Sequence, residues 1–400
     1  MDRNIYILGA GFNQIVSDWD GLKPPMSKNF FQTILRSRKY SEEFYLSKVK
    51  NVFDYIEKNW GKTKNDLLKQ EFNLEDVFTK LQSELRLELQ KKRTKKDIVN
   101  ELFLTNFRLE MMLAEFLSEF EIHSVRDKTG LLKEFGKKVL NENAIVITFN
   151  YDCILEEAIE SASGVNVNAP NSYLNPEGPF QNKEVPEEEL PYSHHNWNRP
   201  LGYGIKFDEI QLQRAGISTF EKGGRFYGHH KNKLYDSRIL KLHGSLNWFQ
   251  YWPIRKFPIF PGQPDKLSPE KMQEIILVDG HWHFNDPPDI NGWIINPLII
   301  TPVLYKNEFY QNQPFIELWK QAKNYLSECD KLTIIGYSFS KTDTSILRLL
   351  RSVFNQHQLR ELVVVTRHKE IANIAQKITN FSKPATRYND TEKFLKTLKN

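Results

Sequence analysis

Short apolar runs, each the length of a strand, recur along this 400-residue chain and mostly alternate with segments of helical period. The first, residues 4–8 (NIYIL), is β-branched and aromatic. Residues 144–149 (AIVITF) are almost wholly apolar, the mark of a strand buried on both faces. Residues 239–242 (ILKL), 331–335 (KLTII) and 361–366 (ELVVVT) complete a set of five. Residues 30–140 read as helices. Segment 64–91 carries Leu67, Leu68, Phe72, Leu74, Val77, Phe78, Leu81, Leu85 and Leu89, and segment 96–122 carries a similar stripe from Ile98 to Phe120. Both largely keep an amphipathic helical period. Shorter helices are predicted over 153–161, 313–328, 342–354 and 391–400. Five apolar strands, most of them separated by helices, predict an α/β fold: a Rossmann-like, doubly wound parallel sheet. In such a sheet all five strand ends lie along one edge, beside one crevice.

Two stretches break this rhythm. Residues 163–235 are polar and rich in Pro, Asn, Gly and Tyr; residues 250–310 mix Pro-rich turns with strand-like pieces (EIILVDG, WIINPLIITPV). Long loops inside compact domains are usually functional or interfacial. The expected organisation is a core of residues 1–35 and 140–400, with long loop inserts at about 163–235 and 250–310, and a large helical insertion over 36–139. The Pro-rich stretch 21–31 (GLKPPMSKNFF) leads into a helix with Ser27 at its N-cap. The charge run 91–96 (KKRTKK) reads as a solvated corner between two helices, with a nucleic-acid patch as the alternative.

Composition narrows the class. The chain is 40% hydrophobic and 26% charged, ordinary for a globular protein. A net charge of +5 falls well short of a dedicated nucleic-acid binder. The 27 Phe and 16 Tyr carry much buried area and predict extensive packing or a large subunit interface. Two cysteines, Cys153 and Cys329, exclude a disulfide framework and a four-cysteine zinc site. The N-terminal MDRNIYILGAGF lacks a signal-peptide pattern. No run reaches the roughly 18 apolar residues of a membrane helix. A soluble, cytoplasmic protein with no membrane partner is expected.

Candidate chemistry gathers at the strand ends. Residues 4–8 run into Gly9-Ala10-Gly11-Phe12-Asn13. A strand entering a Gly-x-Gly turn allows close approach of the backbone to a pyrophosphate, although the third glycine and the later acidic residue of the full dinucleotide fingerprint are missing. The second strand ends in Asn150-Tyr151-Asp152, where Asp152 also reads as a helix N-cap. The third ends in His243, before the turn residues Gly244 and Ser245 and a loop. An imidazole of unperturbed pKa about 6.5 can take or give a proton near neutral pH; a histidine satisfied by a backbone carbonyl is the other reading. The fourth strand ends in Gly336-Tyr337-Ser338, with Thr342 or Asp343 capping the next helix, and the fifth in Thr366-Arg367. His194, His195, His229, His230, His281 and His283 show no metal-site spacing and have no Cys or Glu to complete one, so no metal is expected.

Taken together, GAGFN at 9–13, TFNYD at 148–152, LHGS at 242–245 and GYS at 336–338 resemble the sirtuin superfamily. More narrowly, they resemble the bacterial sirtuin-like proteins of antiphage defence. The motifs anchor residues 1–30, 140–160, 237–250 and 330–370, well under half the chain. The resemblance implies that Gly9, Ala10, Gly11, Phe12 and Asn13 lie against the pyrophosphate of NAD. It implies that Asn150 and Asp152 hold the nicotinamide-ribose side and that His243 is the catalytic base. Gly336, Tyr337 and Ser338 would form the second phosphate and ribose loop, and Thr366 and Arg367 would lie beside the adenosine ribose.

Two departures from the sirtuin pattern narrow the implied activity. Sirtuin deacylases carry a four-cysteine zinc module between the His-Gly motif and the Gly-x-Ser loop; here that interval holds Cys329 alone, so no structural zinc is expected. The Asp-Phe-Arg part of the cofactor loop is replaced by Pro24-Pro25-Met26-Ser27. The implied activity is therefore that of an NAD glycohydrolase, with NAD as substrate, Asn150, Asp152 and His243 as catalytic residues, and NAD depletion in antiphage defence as outcome. A homo-oligomer and a HerA-type hexameric ATPase partner are implied likewise. A non-catalytic NAD or ADP-ribose sensor is the alternative from another class, and a DNA nuclease a further one.

Overall fold

The computed structural model describes residues 3–399 except 17, 92–94, 125–128, 164–200, 215–216, 226–227, 231–232, 236–237, 253–272, 280–288, 291–292, 305, 307 and 341–342. In chain order its strands are β1 (Asn4–Leu8), β2 (Ile145–Thr148), β3 (Glu209–Arg214), β4 (Ile217–Lys222), β5 (Gly228–His230), β6 (Lys233–Tyr235), β7 (Ile239–Lys241), β8 (Gly244–Trp252), β9 (Ile275–Asp279), β10 (Asp289–Ile290), β11 (Trp293–Ile299), β12 (Lys331–Ile335), β13 (Glu361–Val365) and β14 (Thr386–Tyr388). The helices are α1 (Phe30–Arg36), α2 (Glu43–Lys48), α3 (Lys50–Trp60), α4 (Lys64–Lys69), α5 (Leu74–Gln90), α6 (Lys96–Ser124), α7 (Leu131–Asn141), α8 (Ile154–Ser163), α9 (Phe315–Ser327), α10 (Thr344–Phe354), α11 (Lys369–Ile378) and α12 (Thr391–Lys396).

Six strands form a parallel sheet in the order β14-β13-β12-β1-β2-β7. β1 lies inside it because Ile5 to Leu8 are all apolar and all buried, as a strand covered on both faces requires. Helices flank the sheet: α7, α8 and α12 pack together, and α10 packs with α9 and α11. This is the expected Rossmann-like α/β fold, with one strand added. β14 has only three residues, Thr-Arg-Tyr, none fully buried, so no apolar run marks it.

A second sheet is built largely from the two predicted inserts: β9 and β11 are the strand-like pieces of 250–310, while β3 and β4 stand where composition predicts a loop. Its order is β10-β11-β8-β9-β3-β4, antiparallel except for the β3–β9 pair. β3 (EIQLQR) alternates apolar and polar residues, the period of a strand with one buried face. That signal is hidden in a stretch whose overall composition is polar. β8 and β9 are covered on both faces. Trp248, Ile275 and Leu277 join the core of the parallel sheet, while Phe249, Ile276 and Val278 pack against Ala114 of α6.

The chain crosses from one sheet to the other at His243. β7 ends at Lys241 and β8 starts at Gly244, so the predicted loop after His243 is a strand. Gly244 has φ +83, and a Cβ there would stand 2.0 Å from the Leu298 carbonyl oxygen. The glycine is required by the close passage of β11.

Helices α1 to α6 bury a core of their own, from Phe30 and Phe31 through Phe53, Phe78 and Phe116. Tyr151 and Ile299 pack against it and tie the block to both sheets. The predicted cap at Ser27 is replaced by a short 3-10 turn, Ser27–Asn29, with α1 starting at Phe30. The Asn29 side chain accepts from the Met26 N–H at 2.7 Å and closes this turn, while α1 itself has no side-chain cap.

Candidate active site

Two glycine loops meet at the sheet edge. The Gly9 N–H donates to the Ile335 carbonyl (3.1 Å) and the Gly11 N–H to the Gly336 carbonyl (3.0 Å). Phe12 and Asn13 N–H groups close a 3-10 turn onto Gly9 and Ala10. A Cβ on Gly9 would come within 2.7 Å of Tyr337 Cα, and one on Gly11 within 2.7 Å of Gly336 Cα. Gly336 has φ +60, and its Cβ would lie 2.3 Å from Gly11 C and Phe12 N. From sequence these glycines are expected to allow close approach of a pyrophosphate. In the structure the space each side chain would fill is held by the other loop.

Behind these loops an amide chain fixes the orientation of Asn150. Asp152, when ionised, can only accept hydrogen bonds. Its Oδ2 accepts a hydrogen bond from Asn13 Nδ2 at 2.5 Å, and its Oδ1 accepts from the Ile154 N–H at 3.3 Å. The Asn13 oxygen therefore turns to Asn150, whose Nδ2 donates to it (3.1 Å) and to the Gly9 carbonyl (3.2 Å). Asn150 is left presenting Oδ1, an acceptor. Asp152 caps the start of α8, one of the two roles open to it from sequence, and also sets this relay.

His243 is almost fully buried, between Phe149 (ring centroids 4.9 Å) and Tyr310 (6.2 Å). Its Nε2 lies 3.0 Å from the Tyr310 hydroxyl and 3.7 Å from Asp343 Oδ1. Burial, with Lys306 second, pushes its pKa down to about 3 against a partial opposing effect of Asp343. This corrects the expectation of a group titrating near neutrality: the imidazole is neutral at pH 7 and a weak base. Tyr310, raised first by burial and then by Asp343, keeps its proton and can donate it to Nε2.

Asp343 sits at the N-cap position of α10 as predicted, but its side chain makes no cap hydrogen bond. It pairs instead with buried Lys306 and accepts from the Tyr337 hydroxyl at 3.0 Å. Burial works to raise this carboxyl; the facing His243 and Lys306 and the hydrogen bonds from Lys306 and Tyr337 outweigh it, and the pKa lies below the ordinary value. Beneath Asp152 lies a second charged group. Lys241, fully buried, donates to the Asp152 carbonyl (2.5 Å) and to Glu156 Oε1 (2.9 Å). Glu121 accepts from the Cys153 N–H at 2.9 Å. Burial raises the carboxyls of Glu121, Asp152 and Glu156. Burial alone would lower Lys241, but Glu156, Cys153 and Asp152 outweigh it and raise the ammonium's pKa.

The two glycine loops, Asn150, Asp152, His243, Lys306 and Asp343 border a cavity of about 160 Å³. Gly9, Ala10, Asn13, Asn150, Asp152 and His243 line it, as do Gly336, Tyr337 and Ser338 from the loop after β12. Of the residues singled out from sequence, Gly11 and Phe12 lie behind it: Gly11 is locked to Gly336, and Phe12 packs on Phe135 at 5.0 Å. Thr366 and Arg367 are at the end of β13, outside the cavity. The Thr366 N–H donates to the Tyr388 carbonyl at 2.8 Å, and Arg367 is exposed. Pro24 to Ser27 form part of the wall, as do Glu75, Leu113 and Leu117 of the helical block.

Sequence reasoning misses Lys306, Tyr310, Glu75 and the Lys241 cluster. Lys241 has a signal: one charge within the apolar ILKL strand. Lys306 and Tyr310 have none, lying in a stretch with no periodicity. His194, His195, His281 and His283 lie outside the described residues, as does Thr342. Among the described residues, no group of three His, Cys, Asp or Glu could hold a metal, and no helix is long and apolar enough to cross a membrane. Compared with known proteins, the chain matches no protein-family model and no curated protein.

Proposed function

We propose that this protein is an NAD glycohydrolase, with Asn150 and His243 at the reacting centre. The observation that carries the reading is the convergence of Asn150, Asp152, His243 and both glycine loops on one cavity. The motif resemblance to sirtuin-like proteins of antiphage defence supplies the substrate. The size of the site agrees with part of it. About 160 Å³ is below the roughly 300–1,000 Å³ of whole-ligand pockets. It has room for one six-membered ring. The remainder of a dinucleotide would run past Ala10 and Ser338, both exposed at the rim. From β7 to β13 there are four strand spacings, roughly 19 Å, a span suited to an extended dinucleotide ending near Thr366 and Arg367.

In the reaction the bond from ribose C1′ to the nicotinamide nitrogen breaks, and nicotinamide leaves with the electron pair as a neutral ring. Water adds to the oxocarbenium carbon and gives up a proton. Asn150 Oδ1, oriented by Asn13 and Asp152, accepts a hydrogen bond from that water or from a ribose hydroxyl. His243 Nε2 accepts the proton once the Tyr310 hydroxyl has turned away from it. A base of pKa about 3 suffices, because water bonded to a carbocation is a far stronger acid than free water. Asp152 acts by holding the relay.

A second reading, a sensor that binds NAD or ADP-ribose without cleaving it, is favoured by one feature: the Nε2 of a weakly basic His243 is engaged by Tyr310. The two readings separate when purified protein is incubated with NAD and nicotinamide release is followed. Release is expected, falling about a hundred- to ten-thousandfold in His243→Ala and sharply in Asn150→Ala. NAD bound without release favours the sensor; release that survives both substitutions removes the site assignment. On the same resemblance we propose control by self-association or by a HerA-type ATPase partner. Phe44, Leu87 and Leu89, exposed on the helical block, are candidate contact points.

A further inference from the structure

Lys241 is the charged residue of an otherwise apolar strand, β7, and it is fully buried, as are Leu240 and Leu242 on either side of it. β7 pairs with β2 so that Lys241 lies opposite Thr148, just before the turn that carries Asn150, Tyr151 and Asp152. From there its ammonium donates to two points at the start of α8: the Asp152 main-chain carbonyl (2.5 Å) and Glu156 Oε1 (2.9 Å). Taking an ammonium out of water is costly, and apolar side chains of similar volume often serve stability as well as a buried ion pair. What they cannot supply is a bond to the Asp152 carbonyl.

That bond reaches the reacting centre by two routes. The first runs through Asp152, whose side chain orders Asn13, and Asn13 in turn orders Asn150. The second is the chain itself, since His243 follows Lys241 by two residues. The Leu246 N–H donates to the Tyr151 carbonyl at 2.9 Å, so segment 241–246 holds two successive carbonyls of the turn and carries the histidine between its two grips.

We propose that Lys241 is a positioning residue: by holding the Asp152 carbonyl it sets the direction of Asn150 and its placement relative to His243. The effect on turnover rests on the NAD reading. The effect on the two asparagine amides does not.

Two variants test it. Lys241→Met removes the bond and leaves Glu156 buried without its cation. Lys241→Met combined with Glu156→Gln removes the bond and both charges. The measurements are the melting temperature, kcat and KM for nicotinamide release from NAD, and the side-chain amide signals of Asn13 and Asn150 in nitrogen-15 NMR. The single variant is expected to melt lower than the parent, and the double variant to recover much of that loss. Assayed well below their melting temperatures, both are expected to lose on the order of a hundredfold in kcat, with KM little changed. In both, the two amide signals are expected to shift and broaden. If the parent protein releases no nicotinamide, the NAD reading fails while the amide signals still decide the role of Lys241. A double variant that regains kcat together with its melting temperature overturns the inference, as does one whose amide signals stay in place. Failure of both variants to fold overturns it too, by making the lysine a structural residue.

Discussion

His243 carries the largest consequence at the scale of single residues. Its pKa is about 3 in the folded chain and about 6.5 when unfolded. Between these values the unfolded chain binds a proton that the folded chain refuses. Stability is therefore lost as pH falls from about 6.5 towards 3, by up to about 1.4 kcal/mol per pH unit from this group alone. The raised carboxyls of Glu121, Asp152 and Glu156 act with the opposite sign, since the folded chain keeps their protons more readily. Comparing the protein with His243→Gln cancels them. Urea unfolding at pH 7, 6 and 5 is expected to show a steeper acid loss with histidine than with glutamine; equal slopes would mean the imidazole is not held neutral. The sequence points to this histidine, since it ends an apolar strand, but not to its pKa. That value comes from the Phe149 and Tyr310 rings and Lys306, the last two of which sit in a stretch that no periodicity marks.

Among the elements, the two glycine loops show how the right residues can be picked out for an incomplete reason. Gly-x-Gly after β1 and Gly336 after β12 are legible as loop glycines at strand ends. That β1 and β12 are neighbours, and so that each loop occupies the other's side-chain space, is a fact of sheet order. Gly336→Ala adds a Cβ 2.3 Å from the backbone of Gly11 and Phe12, at φ +60. A cost of about 3 kcal/mol or more is expected. Gly61 caps α3 at φ +64 with open space around it, and Gly61→Ala should cost only about 1 kcal/mol. Calorimetric melting of both variants checks the contrast; similar losses would show that conformation alone, without the interlock, sets the cost. The second sheet escapes the sequence for a different reason. β9 is visible as a strand-like piece, while β3 and β8 lie in stretches whose polar residues and Pro-rich flanks hide the period of two.

At the scale of the whole molecule, three layers share side chains. Tyr151 and Ile299 touch the helical core and the core of the second sheet, and Phe309 touches the helical and parallel-sheet cores. The hydrogen-bonded rung from Glu75 to Ser340 joins the same parts. One cooperative transition is expected, although the chain has length enough for two domains. The test compares tryptophan fluorescence, which reads Trp19 and Trp60 in the block and Trp248 in the second sheet, with calorimetry. Separate midpoints would show that the helical block unfolds alone. The order in which a ribosome releases the chain gives the central position of β1 a meaning of its own. β1 emerges before the other strands of its sheet, yet one of its two neighbours, β12, begins at Lys331. Contacts of such long sequence separation form slowly. Lys306 and Asp343, which flank His243, are likewise made late. Until Gly336 and Asp343 are synthesised there is no second glycine loop and no Asp343 carboxylate. A nascent or truncated copy that stops short of them thus exposes the first motif without the cavity it borders in the finished fold.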